Sequence, residues 1–236
     1  MSFDESVAQD YDNALRGDET AAVLFLEQLA KGAPALELAN GTGRIALPLA
    51  AKGIPVDGVD FSASMLAKLR AKPGADQIAV TLGDFADVDI TKSYGLIYVV
   101  YNSLFNLLSQ DGQVRCFANV ASHLSTAGAF AVEAFVPSYL HRLRGDQYVN
   151  AESVTVDRIC LDVLRHDAPN QILEESHVSI GPAGVSLHPV VQRYAWPSEL
   201  DLMARLAGLR LLQRWGGWTR EPFTSSSQAH ISIYGR

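Results

Sequence analysis

The chain has 236 residues, 48% of them apolar, which is enough for a sizeable core and too many for a disordered polymer. Its formal charge is −7 and it has no block of lysine or arginine, so a nucleic-acid partner is not expected and a small or neutral substrate is favoured. The length exceeds the common size of a domain and suits one α/β domain that carries an insertion.

The two cysteines, Cys116 and Cys160, form neither a metal-type nor a redox pair, which suits buried thiols in a reducing compartment. Met1-Ser2-Phe3-Asp4-Glu5 lacks the basic and apolar regions of an export signal, and no apolar run reaches membrane-spanning length. The expectation is a soluble, cytoplasmic protein with no membrane partner.

Taken in order, residues 18–31 place Ala22, Phe25, Leu26 and Leu29 on one helical face, with Gly32 and Pro34 as stop signals. A short apolar strand at 35–38 carries Glu37 and runs into the turn Ala39-Asn40-Gly41-Thr42-Gly43-Arg44. A helix over about 43–51 contains Pro48, whose missing N–H predicts a bend or a late start. A second strand at 55–59 leads to Asp60. Ser62 is then placed to cap a helix holding Met65, Leu66 and Leu69. A third strand at 78–82 ends in Gly83-Asp84-Phe85. The fourth, 94–100, is continuously apolar, as a central parallel strand is, and a loop from Tyr101 to Asn106 follows. A helix at 111–124 and a fifth strand at 129–135 complete this half.

After Pro137 the pattern changes. Residues 154–165, 171–180 and 185–194 read as three longish strands, separated by the turn sequences Pro169-Asn170 and Gly181-Pro182-Ala183-Gly184. They define an antiparallel β insertion over 138–195. A helix from Pro197 to about Ala207 and strands at 209–215 and 230–234 close the chain. Alternating βα units imply a parallel sheet covered on both faces. The two closing strands have no helix between them, so the last one is expected to run antiparallel.

The turn at 39–44 can be tested against the dinucleotide fingerprint, which wants three glycines. The residues in register are Ala39, Gly41 and Arg44, only one of them glycine, which disfavours a nicotinamide-dependent oxidoreductase. The stretch instead carries acid-x-Gly-x-Gly-x-Gly, with Glu37 as the acid, Ala39 in place of the first glycine, and Gly41 and Gly43 as the others. Together with Gly58-Val59-Asp60-Phe61-Ser62, Met65-Leu66, Gly83-Asp84-Phe85, the apolar fourth strand, and His123-Leu124 through Gly128, it resembles the class I S-adenosylmethionine-dependent methyltransferases of small-molecule type. The resemblance covers about residues 5–136, and the tail at 197–236 fits as well.

The resemblance implies an α/β, Rossmann-like fold: a seven-stranded, mostly parallel sheet with an antiparallel last strand, and an antiparallel β insertion after strand five. Residues 1–236 would form a single domain. It also implies S-adenosyl-L-methionine as cofactor and S-adenosyl-L-homocysteine as product. Ala39, Gly41 and Gly43 would let the backbone approach the methionyl group, and Glu37 would orient the loop and the cofactor's ammonium. Asp60 would accept the ribose hydroxyls. Phe61 and Met65 would line the adenine, Asp84 would accept its amino group, and Phe85 would lie alongside. Plainer readings exist for each: Glu37 as a strand-end charge, Asp60 as a cap, Asp84 as a turn residue, Met65 as core. Tyr11-Asp12 resembles a pair whose tyrosine closes over the cofactor, and an aromatic ring attracts a sulfonium cation. Arg16 is placed either on the cofactor carboxylate or in an exposed ion pair.

Tyr101-Asn102-Ser103 stands where this family places its substrate-facing motif, and it lacks the proline pair of adenine-targeting enzymes. Tyr101 and Asn106 are candidates for the cavity wall. His177 and His188 lie in the insertion, where a histidine can act as a general base. No catalytic residue is fixed by the sequence; the candidates are Tyr11, Tyr101 and His177, and no metal site is expected. The expected activity is methyl transfer to a small-molecule N or O nucleophile, driven mainly by proximity and alignment. A non-catalytic, cofactor-binding regulatory module is the alternative. The insertion would serve as a lid or as the contact of a homodimer. Comparable insertions in the family accompany methylation of amino sugars and other small metabolites.

Overall fold

The computed structural model describes residues 12, 19–143 and 145–236. Tyr11 and Arg16 lie outside the described residues. In chain order the elements are α1 (Thr20–Ala30), β1 (Ala35–Leu38), α2 (Ala46–Ala51), β2 (Val56–Asp60), α3 (Ala63–Arg70), β3 (Ala79–Leu82), β4 (Tyr94–Val99), α4 (Gln110–His123) and β5 (Leu124–Phe135). The insertion follows, and then α5 (Pro197–Leu206), β10 (Arg210–Trp215) and β11 (Ala229–Gly235).

Among the described residues the main sheet has seven strands in the order β10-β11-β5-β4-β1-β2-β3. β1 pairs in parallel with both β2 and β4, and the outer pairs β2–β3 and β4–β5 are also parallel. β11 runs antiparallel to both β5 and β10, as the missing helix between the closing strands requires. All four residues of β1 are buried. Leu36 and Leu38 enter the core on one face of the sheet, while Ala35 enters the core on the other. A strand covered on both faces has to be apolar throughout, which is why β1 and β4 were readable from sequence.

The chain moves outward from β1 through β2 and β3, then returns to β4 on the other side of β1. Strand order therefore reverses between β1 and β4, the place where open α/β sheets leave a crevice beyond their carboxyl ends. α2 starts late, at Ala46, and Pro48 falls in its first turn, where a missing N–H breaks no helical bond.

The insertion is a separate antiparallel sheet of four strands where the sequence reading expected three: β6 (Gln147–Val154), β7 (Ile159–Asp167), β8 (Ile172–Gly181) and β9 (Gly184–Arg193). β6 is an edge strand with every residue exposed, so it carries no alternation of burial to reveal it. Thr155, read as strand, opens a tight turn instead: its Oγ1 accepts a hydrogen bond from the Arg158 N–H at 3.0 Å. One face of this sheet looks inward, since Leu164 and Leu173 join the core with Leu104, Phe105 and Leu140. Arg193 locks the sheet to the main body. Its guanidinium is buried and donates to Gln113 of α4, to Gln171 and to Glu199 of α5, each at 2.8 Å. Cys116 is buried, Cys160 is half-buried, and both are free. Among the described residues no helix is long and apolar enough to cross a membrane.

Candidate active site

The turn after β1 is built from left-handed backbone at Ala39 (φ 56°), Gly41 (φ 55°) and Gly43 (φ 77°). The two glycines do different work. A Cβ on Gly41 would meet nothing within 4 Å, so this residue faces open space. A Cβ on Gly43 would stand 2.3 Å from Leu69 Cδ1, so this glycine lets the turn pack closely on α3. Gly83, after β3, also faces open space.

Asp60 ends β2 and is buried. Its Oδ2 accepts a hydrogen bond from the Gly41 N–H at 2.7 Å, and its Oδ1 accepts one from the Ser62 N–H at 2.8 Å. Burial pushes its carboxyl above the usual range, while these N–H groups pull the other way. Ser62 caps α3 as its sequence position predicts, its Oγ accepting from the Met65 N–H at 3.2 Å. Asp60 thus ties the glycine turn to the start of α3 and still has lone pairs for a further donor.

Glu37 lies beneath this turn, fully buried, and its Oε2 has no hydrogen-bond partner among the described residues. Its register neighbour on β4 is Tyr98, whose buried hydroxyl lies against this carboxyl and, with the Ala46 N–H, opposes part of the effect of burial. Burial pushes the Glu37 carboxyl well up, and the charge of Asp60 adds to that. Around the rim, Phe61 is 49% exposed. Asp84 is exposed and takes the Ala86 N–H at 2.8 Å, the geometry of a local turn. Phe85 and Met65 are buried, and Phe85 packs in the core with Leu38, Val59 and Val99.

Across the crevice, Tyr101 and Asn102 after β4 are both left-handed, at φ 53° and 61°. Two side chains from β5 and beyond hold them there. The Tyr101 N–H donates to Glu133 Oε2 at 2.8 Å, and Trp218 Nε1 donates to Glu133 Oε1 at 2.9 Å. Asn102 Oδ1 accepts from the Phe135 N–H at 2.7 Å. Asn106 ends the short 3-10 turn that follows. Asp12 reaches the glycine turn from the N-terminal side, where its Oδ1 accepts from Thr42 Oγ1 at 2.6 Å and its Oδ2 pairs with Lys72 Nζ at 2.8 Å. Glu133, Trp218, Thr42 and Lys72 were not singled out as site residues in the sequence; their contacts are long-range and leave no local signal.

The face of the insertion that carries Leu164 and Leu173 also carries a cluster of titratable side chains. Asp162 and His177 are register partners on β7 and β8, with His177 Nδ1 2.7 Å from Asp162 Oδ1. Glu175, two residues before His177, brings a carboxylate oxygen to the same cluster, all three ligand-type atoms lying within 4.8 Å of one another. Burial raises the Glu175 carboxyl, with His177 pulling it down and Asp162 pushing it further up. Tyr139 is pushed up to about 12 by burial and by the charges of Glu175 and Asp162, so it stands near this cluster. Its ring also contacts Phe135, 6.1 Å between centroids, at the carboxyl end of β5. His188 is the register partner of His177 on β9.

Residues 35–128 match the model of a methyltransferase domain. The CcbJ methyltransferase of Streptomyces caelestis is 35% identical, with a TM-score of 0.93 over 100% of this chain and 98% of that one. The chain belongs to the class I S-adenosylmethionine-dependent methyltransferases. The cypemycin N-terminal methyltransferase of a Streptomyces species is 26% identical over 242 aligned positions, 99% of this chain and 97% of that protein. An S-adenosylmethionine-dependent methyltransferase of Clostridium acetobutylicum, 16% identical, shares the fold with a TM-score of 0.81 over 98% of this chain and 97% of that one.

The cofactor of this methyltransferase is S-adenosylmethionine, and the residues present fit it. Open space over Gly41 and Gly83 leaves room for a nucleoside. The Asp60 carboxylate suits a diol, and the unpartnered oxygen of Glu37 suits an ammonium.

Proposed function

We propose that this methyltransferase methylates an amine nitrogen of a small natural product, and that the Asp162–His177 pair on the insertion serves the acceptor. That pair is the observation that carries the reading. By strand alternation it shares the face of Leu164 and Leu173, which pack with Leu104 and Phe105 just beyond the end of β4. The cypemycin N-terminal methyltransferase, a relative over nearly its whole length, acts by its name on an amino terminus, and this supports nitrogen as the acceptor atom.

In this reading Asp60 holds the ribose, Glu37 the ammonium, Gly41 and Ala39 the methionyl backbone, and Phe61 and Asp84 flank the adenine. Met65 and Phe85 pack behind them. Tyr101 faces the sulfonium. Bound S-adenosylmethionine supplies an already activated methyl group, so the protein contributes mainly alignment and the exclusion of water. An amine reaches the site largely protonated and must lose that proton before it can attack. Asp162 accepts the Nδ1–H of His177, which leaves Nε2 as the basic atom to take the proton from the amine. Glu175 stabilises the imidazolium that results. The whole chain acts as one domain. The insertion covers the crevice with its inward face and meets a second copy with its outward one.

The test is mass-spectrometric detection of methylated product from a panel of small primary and secondary amines and matched alcohols. Methylation of the alcohols but not the amines overturns the assignment to nitrogen. The cofactor half is tested separately: Asp60→Ala should weaken S-adenosylhomocysteine binding tenfold or more, since charge-assisted hydrogen bonds contribute about 1.5–3 kcal/mol. Unchanged affinity by calorimetry removes Asp60 from the site.

A further inference from the structure

Arg44 is the residue that spoils the dinucleotide fingerprint, and the cofactor roles above leave it unused. It leaves the glycine turn directly after Gly43, at the entrance to α2. Its side chain is only 15% exposed, and its Nη2 is ion-paired with Glu19 just before α1. The guanidinium lies over the ring of Tyr101, 5.6 Å from the centroid, so it reaches across to the loop after β4. Nη1 is buried and has no hydrogen-bond partner among the described residues. A buried cationic donor left unused is costly, and such groups are rare unless they meet a ligand.

A buried carboxyl lies by the same turn. Glu37 Oε2 has no direct hydrogen-bond partner among the described residues, while the Tyr98 hydroxyl and the Ala46 N–H, two residues beyond Arg44, bear on the same carboxyl. The turn is thus flanked by a buried cationic donor and a buried carboxyl that keeps one oxygen open. An α-amino acid zwitterion presents the matching pair, a carboxylate and an ammonium.

We infer that Arg44 Nη1 binds the α-carboxylate of the cofactor's methionyl group, with Glu19 and the Tyr101 ring fixing the guanidinium for that contact. The arginine gives a charge-assisted hydrogen bond, a stronger kind than a neutral one. It also couples the cofactor to Tyr101, so that filling the methionyl subsite steadies the wall facing the acceptor. The inference rests on the cofactor being S-adenosylmethionine and adds a residue to its site.

Calorimetry with two ligands tests it. S-adenosylhomocysteine carries the carboxylate, and its decarboxylated analogue keeps the amine and lacks only that group. Arg44→Gln should weaken S-adenosylhomocysteine tenfold or more and leave the decarboxylated analogue within twofold of wild type. Arg44→Lys, which keeps the charge but loses the fork and the stacking, should show a smaller loss confined to S-adenosylhomocysteine; it decides the matter if the glutamine variant does not fold. An equal loss for both ligands, or no loss for S-adenosylhomocysteine, overturns the inference. Failure of the wild type to bind S-adenosylhomocysteine would instead count against the cofactor site as a whole.

Discussion

Glu37 and Tyr98 stand side by side on β1 and β4 at the strand-order reversal, both fully buried, with the tyrosine hydroxyl against the carboxyl and Glu37 Oε2 left without a direct hydrogen-bond partner among the described residues. Burial raises both groups, so without a cation nearby the folded protein favours the neutral form of Glu37. Native structures seldom leave a buried carboxyl oxygen open, and the ammonium contact proposed for Glu37 would satisfy it.

A pH dependence follows from the sign of that shift. The folded carboxyl holds its proton to higher pH than the unfolded one, so its contribution to stability is full below about pH 4, near the unfolded value. It is lost as pH rises through the folded pKa. Glu37→Gln removes this loss. Without cofactor, the variant should melt at or above wild type at pH 8, with the gap closing toward pH 5. With saturating S-adenosylhomocysteine the order should reverse, because only the carboxylate can neutralise the ligand's ammonium. Melting curves over that pH range, with and without ligand, check both halves. A deficit of the ligand-free variant that does not vary with pH would mean that Glu37 is ionised and paired.

Gly41 and Gly43 should fail in different ways when given a side chain. Both have positive φ, which costs an ordinary residue about 1–2 kcal/mol. At Gly43 the new methyl would also stand 2.3 Å from Leu69 Cδ1, and crowding of that kind adds roughly 1–3 kcal/mol. Gly43→Ala should therefore show the larger loss by denaturant unfolding. Gly41→Ala meets no protein atom within 4 Å, so it should lose less stability but more affinity for S-adenosylhomocysteine. Equal affinity losses at the two positions would contradict this division of labour.

What could be read from the sequence follows from where each signal resides. β1 and β4 are buried on both faces and announce themselves as unbroken apolar runs. Asp60 and Ser62 are legible because a strand end, a carboxylate and a cap fall together within three residues. β6 was missed because it buries nothing. Tyr98 was hidden for the opposite reason: within an apolar strand a tyrosine reads as core, and only the register with β1 puts it beside Glu37. Glu133 and Trp218 are 85 positions apart, and their joint hold on Tyr101 exists only after β5 and the segment after β10 have come together. Gly43 matched the motif, yet its space is taken by Leu69, a constraint that the spacing of glycines alone does not carry.

The outward face of the insertion makes the last prediction. Across all four strands it is mostly apolar: Val149 and Val163 are register partners, as are Ile159 and Ile180, Val178 and Leu187, and Ile180 and Val185. Val149, Val185 and Leu187 are each 60% exposed or more. Contiguous apolar faces of this kind mark contact sites in otherwise polar surfaces. Two charges on the same face, Arg165 and Glu174, pair with one another at 2.6 Å. A self-complementary face of this composition suits an isologous two-fold dimer. Light scattering should give a dimer for the wild type and a monomer for the Val149→Glu, Leu187→Glu double variant. Both positions are exposed, so the variant should keep its fold and its affinity for S-adenosylhomocysteine. A wild type that stays monomeric at tens of micromolar overturns the assignment of this face to a second copy.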